Sequence, residues 1–356
     1  MKKGRTDLVR VVVIDDSPTV RRLLVAILQE AEGIQVVGTG ATGKEAIQLT
    51  RRMRPDALTM DLRMPEMDGL EATRQIMREM PTPIVIVSGT LTRVDIDITF
   101  EALRAGALSV VRTPGLADPE GCDKVVRAVR LMAEVPVIHH WGRRVKGQPP
   151  TQPRMNNHRG AQMIGIAAST GGPGALATIL RQLPTDFCVP VLVVQHVAPG
   201  FVHGLAEWLD GETPLRVGLA NHGDTPQPGT VLIAPDDYHL QVNASGIVEL
   251  CKEPPYRQLR PSANYLFRSL AQTFGSRAAG IILTGMGDDG TEGLSVLRQA
   301  GGLTIAQDKE SCVVCGMPQE ALARNAARRE LTLDQIAMTL VRLNGQVVRK
   351  EEIPHE

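Results

Sequence analysis

Between Leu8 and about Ala133, short β-branched runs alternate with amphipathic stretches: LVRVVVI, PTVRRLLVAILQEA, IQVVGT, GKEAIQLTRRM, ALTM, DGLEATRQIMREM, PIVIVS, VDIDITFEALRAG, LSVV and CDKVVRAVRLMA. The β-branched runs read as strands and the stretches between them as helices. Five strand-helix pairs in succession predict a parallel sheet with helices on both faces. From residue 134 to 160 the periodicity lapses, and Pro, Gly, Gln, Asn and basic residues gather in EVPVIHHWGRRVKGQPPTQPRMNNHRG. That composition predicts an interdomain linker. A second series opens with QMIGIAA, PGALATILRQL, VPVLVVQH and FVHGLAEWLD. Shorter strands follow in TVLIAP, YHLQVN and GIVELC, the last two joined by a turn at 244–246. Then come a helix over 262–274, the strand AAGIILT, a helix over 291–300, the strand GLTIAQD, and helices near 318–325 and 333–343. The expectation is an α/β chain with two doubly wound parallel-sheet domains, the second, over residues 161–346, carrying a β-hairpin addition.

Composition agrees and narrows the choices. At roughly 150 residues per domain, 356 residues suit two domains. Apolar residues at 43% and charged residues at 22% are ordinary for a soluble globular chain. No uncharged apolar run reaches the ~18 residues a membrane span needs. Thirty-nine basic residues against 39 acidic ones leave no net field for a polyanion, which argues against nucleic acid as a partner. Five scattered cysteines do not make a disulfide framework, and the start MKKGRTDLVR is too polar for a signal peptide. A cytoplasmic monomer is expected.

The pattern puts Asp15 and Asp16 just after VVVI, and Asp61 just after ALTM. Residues past the strand ends of a parallel sheet gather at its carboxyl edge, where ligands of open α/β sheets bind. Two bare carboxylates about 4 Å apart repel by roughly 4 kcal/mol at an effective dielectric near 20, a cost that a divalent cation removes. Mg²⁺ suits such a site, because it takes a few carboxylates together with water and phosphate oxygens. Ser88, after PIVIV, falls at the same edge, where its hydroxyl can hold a phosphoryl oxygen. Helix capping ahead of PTVRRLL is the plainer use of Asp15 and Asp16.

Taken together, VVVIDDSPTVRRLL, TMDLRMPEMDGLEATRQI and IVIVSG resemble the response-regulator receiver family over residues 8–133. The resemblance implies a flavodoxin-like fold, a phosphoryl group accepted by Asp61 from a histidine kinase, Mg²⁺ held by Asp15, Asp16 and Asp61, and Ser88 as the switch hydroxyl. One stretch departs from the family. In GALSVVRTP, Thr113 stands before Pro114 where receivers carry a lysine, and Val110 stands in for an aromatic. Arg112 is one residue early, and strand alternation turns it away from Asp61 unless the strand slips or bulges. Weak phosphorylation of Asp61 is expected.

In the second series the first strand runs directly into Ala168-Ser169-Thr170-Gly171-Gly172-Pro173 and then a helix. A serine at such a turn is presented at the carboxyl edge, and the helix N-terminus offers unpaired N–H groups that can stabilise an oxyanion. A capping serine and a phosphate-cradling loop are the alternatives. The loop fits neither the dinucleotide nor the P-loop spacing, and Ala167 stands where a nucleophile elbow needs its first glycine. His196 ends the next strand at the same edge, whereas His203, His222 and His239 fall on a helix, in a loop and within a strand. Gly285-Met286-Gly287-Asp288-Asp289-Gly290 follows another apolar strand, and either aspartate could cap the next helix or orient an imidazole. A nucleophile, a base and a carboxylate delivered to one edge are the set that nucleophilic acyl transfer needs.

IGIAASTGGPGAL, VLVVQHVAPGF, VLIAPDDYHL, ANYLFRSLA, ILTGMGDDG and QDKESCVVCGMP resemble successive blocks of the chemotaxis protein-glutamate methylesterase family over nearly all of residues 162–325. A receiver ahead of a linker matches the same architecture. The resemblance implies Ser169 as nucleophile, His196 as base and then acid, and Asp289 rather than Asp288 as the orienting carboxylate. It places Thr170, Gly171 and Met286 around the oxyanion and calls for no cofactor in the ester reaction. The activity implied is hydrolysis of glutamate γ-methyl esters on chemoreceptors, with deamidation of receptor glutamines, gated by a receiver that a chemotaxis-type histidine kinase phosphorylates. A non-catalytic adaptor docking on chemoreceptors is the rival, and a nucleotide-binding enzyme is a second that lacks a phosphate-loop lysine. Cys312 and Cys315 form a CxxC with no second ligand pair, which disfavours zinc or redox chemistry.

Overall fold

The computed structural model describes residues 8–89, 93–115, 117–135 and 161–351. The chain divides between Pro149 and Pro150 into two compact units. The expected linker, with Trp141 and its basic neighbours, lies almost wholly outside the described residues.

The first unit runs β1 (Val9–Ile14), α1 (Pro18–Glu30), β2 (Ile34–Gly40), α2 (Gly43–Met53), β3 (Ala57–Met60), α3 (Gly69–Glu79), β4 (Ile84–Ser88), α4 (Arg93–Arg104), β5 (Ser109–Arg112) and α5 (Pro119–Ala133). Its strands pair in parallel in the order β2-β1-β3-β4-β5. Every residue of β3 and β4 is buried, while the edge strand β2 is mixed. Strands covered by helices on both faces read in this way. The helices start on local caps: Ser17 Oγ accepts Val20 N–H at 3.4 Å, Thr42 Oγ1 accepts Glu45 N–H at 3.2 Å, and Asp68 Oδ1 accepts Glu71 N–H at 2.8 Å. Each bond satisfies a donor that the helix itself leaves open. At Gly69 a Cβ would come within 2.0 Å of the Asp61 carbonyl oxygen, so only glycine lets α3 begin against the end of β3.

The second unit runs β6 (Met163–Ala168), α6 (Gly172–Leu180), β7 (Val191–Gln195), α7 (Val202–Glu212), β8 (Arg216–Leu219), β9 (Thr230–Ile233), β10 (His239–Val242), β11 (Val248–Cys251) and α8 (Ala263–Phe274). It continues with β12 (Ala278–Ile282), α9 (Thr291–Gln299), β13 (Leu303–Gln307), α10 (Gly316–Ala323), β14 (Arg329–Leu331) and α11 (Leu333–Glu351). Seven parallel strands order as β14-β13-β12-β6-β7-β9-β8, and the winding reverses beside β6. A topological switch point of this kind opens a crevice at the carboxyl edge. The expected hairpin is present, but β10 and β11 form their own two-stranded sheet rather than an extension of the large one. The edge strands β8 and β14 are additions to the expected pattern, and α11 runs on to Glu351.

Helix α8 docks on the sheet through the fully buried ring of Phe267. Cβ atoms at Gly165, Gly280, Gly290 and Gly293 would each come within 3.0–3.3 Å of that side chain, so glycines on β6, β12, the loop ahead of α9 and α9 itself leave the space it fills. No described helix is long and apolar enough to cross a membrane. Phe267→Ala is expected to destabilise the second unit by about 3–5 kcal/mol, read from urea unfolding.

Candidate active site

At the carboxyl edge of the first sheet, Asp15 and Asp16 follow β1, Asp61 follows β3, Ser88 ends β4 and Thr113 follows β5. All five line a cavity of about 300 Å³. One carboxylate oxygen from each of Asp15, Asp16 and Asp61 lies within 4.8 Å of the others. Asp15 is 4% exposed. Burial, and after it the charge of Asp61, pushes the Asp15 carboxyl up to about 7. An all-oxygen donor set of three clustered carboxylates fits a hard divalent cation. Strands β4 and β5 pair without a slip, with Ser88 opposite Arg112. Thr113 therefore faces the cavity and Arg112 is exposed outside it. Arg63 is the one cation among the described residues that line the cavity.

In the second unit, β12, β6 and β7 are neighbours, and the residues beyond their ends stay side by side. His196 N–H bonds the Ala168 carbonyl at 2.9 Å, and Ser169 N–H bonds the Thr284 carbonyl at 3.0 Å. Ser169 thus stands between His196 and the loop that carries Asp289. His196 Nε2 lies 3.1 Å from Asp289 Oδ2, with the two side chains 12% and 2% exposed. The two are at ion-pair distance but not lined up as a straight hydrogen bond. With Nε2 the ring nitrogen nearest Asp289, Nδ1 is the one left for Ser169. No bond from Ser169 Oγ to it is formed among the described residues, and contacts of this kind tighten only with substrate in place.

Asp289 sits on the N-terminus of α8. Its Oδ1 accepts from Ser262 Oγ at 2.5 Å and Asn264 Nδ2 at 3.0 Å, and its Oδ2 accepts from Ala263 N–H at 2.7 Å. Burial works against its charge, but the imidazole of His196, the Ser262 hydroxyl and the Ala263 N–H outweigh it and hold the carboxyl below the usual range. Asp288 is turned aside, with its Oδ2 2.5 Å from an Arg257 nitrogen and 3.1 Å from an Arg324 nitrogen.

The loops around Ser169 are tied together from below. Gln195 Nε2 donates to the carbonyls of both Ser169 and His196, at 2.7 and 2.8 Å. Thr284 Oγ1 accepts Val314 N–H at 2.9 Å and lies 2.9 Å from the Thr170 carbonyl. Gly171, at φ +77°, turns the chain into α6, and a Cβ there would strike Val313 at 2.6 Å. Among the described residues the backbone N–H groups of Thr170, Gly171 and Met286 make no hydrogen bond, and the Met286 side chain is 46% exposed. Cys312 and Cys315 are free thiols that burial pushes up, hence protonated and unsuited to thiolate chemistry.

Ser262, Asn264 and Gln195 are the site residues that strand-end logic missed. A signal exists for one of them: Gln195 ends the otherwise apolar, buried run VLVVQ, and a buried amide needs a partner.

The family model for the response regulator receiver domain matches residues 11–117, and the model for CheB methylesterase matches residues 164–340. A protein-glutamate methylesterase/protein-glutamine glutaminase 1 of Syntrophus aciditrophicus is 44% identical over 349 residues, covering 96% of this chain and 99% of its own. A protein-glutamate methylesterase/protein-glutamine glutaminase of Nitrosospira multiformis is 43% identical over 345 residues, covering 94% and 97%. The crystal structure of the Thermotoga maritima CheB methylesterase catalytic domain is 39% identical, with a TM-score of 0.50, and covers 51% of this chain and 98% of its own. The chain therefore belongs to the protein-glutamate methylesterase/protein-glutamine glutaminase family, with a response-regulator receiver domain ahead of the methylesterase region.

Proposed function

We propose that residues 161–346 hydrolyse glutamate γ-methyl esters on chemoreceptors, releasing methanol, and deamidate receptor glutamines by the same attack. The observation that carries this reading is the buried Asp289 carboxylate facing His196 Nε2 at 3.1 Å, beside the strand-end Ser169. Ser169 is the nucleophile. His196, its Nε2–H directed to Asp289, uses Nδ1 to take the Ser169 proton as the oxygen attacks the γ-carbonyl carbon. The free N–H groups of Thr170, Gly171 and Met286 receive the oxyanion, where one donor is worth about 3–4 kcal/mol. The imidazolium then protonates the departing group, methanol or ammonia leaves, and a γ-glutamyl ester of Ser169 remains. Water, deprotonated by the same nitrogen, cleaves that ester and gives a glutamate carboxylate from either substrate.

Residues 8–133 act as the receiver and 134–160 as the linker through which it gates the esterase. Asp61 accepts a phosphoryl group from a chemotaxis-type histidine kinase, and the Ser88 hydroxyl meets a phosphoryl oxygen. Asp15, Asp16 and Asp61 hold Mg²⁺, which supplies the positive charge that three carboxylates and a phosphoryl group require. With Thr113 in the lysine position, phosphorylation is slow. The protein works in the cytoplasm as a monomer, with no nucleic acid and no membrane insertion. A non-catalytic adaptor has no use for an ionised, buried Asp289 directed at an imidazole, and the hydrolase names of the relatives weigh against it as well.

Methanol release from a methylated receptor fragment tests the reading. Release is expected from the full chain and not from Ser169→Ala; undiminished release by that variant would overturn the nucleophile. Asp289→Asn is expected to lower kcat by about ten-thousand-fold, through the wrong imidazole tautomer. Asp288→Asn, which loses only arginine contacts, is expected to keep most of it in the same assay. Asp15 must be deprotonated to coordinate a cation, and its carboxyl lies at about 7. Mg²⁺ affinity measured by calorimetry is therefore expected to fall from pH 8 to pH 6, approaching about tenfold per pH unit on the acid side.

A further inference from the structure

His239 is a fully buried histidine that the hydrolytic scheme does not use. It opens β10 and stacks on Tyr265, with ring centroids 3.8 Å apart and planes at 19°. Its Nδ1 accepts the Ser262 N–H at 3.1 Å, and its Nε2 lies 3.3 Å from the Pro254 carbonyl. An acceptor on one side and a donor on the other fix a single neutral tautomer. Burial lowers its affinity for a proton, and the Arg260 charge acts the same way; the Pro254 and Glu253 carbonyls and the Asp289 charge pull in the opposite sense without reversing it.

The residue that His239 holds is the one that holds Asp289. Ser262 Oγ accepts the Asn264 N–H at 3.3 Å, so its own proton is directed to Asp289 Oδ1. Asn264 is fixed in turn, because its Oδ1 accepts Gly293 N–H at 2.7 Å while its Nδ2 donates to the same Asp289 oxygen. A carboxylate offers about four acceptor positions. The start of α8 fills three of them, and the fourth, on Oδ2, faces His196. Where that last lone pair points depends on where Ser262 is anchored, and the anchor is a fully buried imidazole.

We propose that His239 is a positioning residue for the hydrolytic reaction: by accepting the Ser262 N–H it sets the hydroxyl that orients Asp289 toward His196. The proposal rests on the hydrolase reading above. It also separates His239 from an ordinary core histidine, whose loss would cost stability and leave the chemistry of folded molecules unchanged.

The test uses the full chain with His239→Phe, His239→Asn and His239→Gln. Phenylalanine keeps a ring against Tyr265 and removes both polar contacts. Asparagine puts an oxygen close to the Nδ1 position, and glutamine puts an amide N–H close to the Nε2 position. Turnover of a methylated receptor fragment is measured per active serine, counted with a fluorophosphonate, and the rate of serine phosphonylation is measured as a second readout. For His239→Phe and His239→Gln, kcat and the phosphonylation rate are expected to fall by about ten- to a hundredfold, the scale of a small misplacement in an active site, with KM little changed. The acid limb of the kcat profile should move to lower pH, because a poorly directed carboxylate stabilises the imidazolium less. His239→Asn is expected to restore most of the rate. If His239→Phe does not fold, the asparagine and glutamine variants decide by the same contrast. Wild-type kcat per active serine in the glutamine or phenylalanine variant, or equal losses in all three with an unmoved acid limb, would overturn the proposal. A wild-type chain that releases no methanol yet is phosphonylated quickly, with the glutamine variant slow, would sink the substrate and leave the role of His239 standing.

Discussion

A carboxylate kept ionised at 2% exposure is the constraint on which the second unit turns. Taking one such ion out of water costs several kcal/mol even after relaxation, and the cost is met only when its lone pairs are filled. Three donors at the start of α8 fill them, with the partial positive charge of that helix end behind them. Those donors are useful only if α8 begins at a fixed height over the sheet. The Phe267 ring sets that height, and it can do so because glycines on β6, β12 and α9 and in the loop ahead of α9 leave it room. Core packing and active-site electrostatics are thus one problem, solved by one helix.

The acidic site of the first unit follows the opposite policy. Asp15 accepts a single N–H, from Ser17 at 2.9 Å, and the nearby Arg21 guanidinium is spent on the backbone carbonyls of Asp15 and Asp16. Burial first, and then the charge of Asp61, raises the Asp15 carboxyl, so a cation that enters the cluster offsets both. A site whose buried carboxylate is fully bonded from within is ready at all times; one that gathers carboxylates for a cation reports whether the ion is present. The first suits catalysis and the second suits regulation. Thr113 sharpens the contrast, since it removes a fixed cation from the side of the cavity where receivers place a lysine.

The central strands were legible because burial on both faces writes them as unbroken apolar runs, and the strand-end residues Asp61, Ser169 and His196 were legible because a parallel sheet sends its strand ends to one edge. The edge strands β8 and β14 escaped for the same reason in reverse: they are short, partly exposed and carry little apolar signal. The separate hairpin sheet escaped because strand pattern does not encode partner choice. In the site, Asp289 and Asp288 are equivalent on the page of the sequence, and only Arg257, Arg324 and the start of α8 tell them apart. The supporting residues Gln195, Ser262 and Asn264 act through contacts that span 25 or more residues for the serine and the amides that reach Ser169 and Asp289. No local period records contacts of that kind.

One imidazole can serve an ester and an amide because the two tetrahedral intermediates differ only in what must leave. Methoxide is a tolerable leaving group and needs its proton late. An amide nitrogen is a poor one and must be protonated before the C–N bond breaks, so the acid step weighs more heavily on glutamine than on the methyl ester. In the mechanism proposed above the acid is the imidazolium of His196, and its stability at that moment rests on Asp289 carrying full charge in a fixed direction. The bonds from Ser262, Ala263 and Asn264 are therefore worth more to the deamidation than to the demethylation. A network that looks excessive for an easy ester is in proportion to the harder of the two reactions.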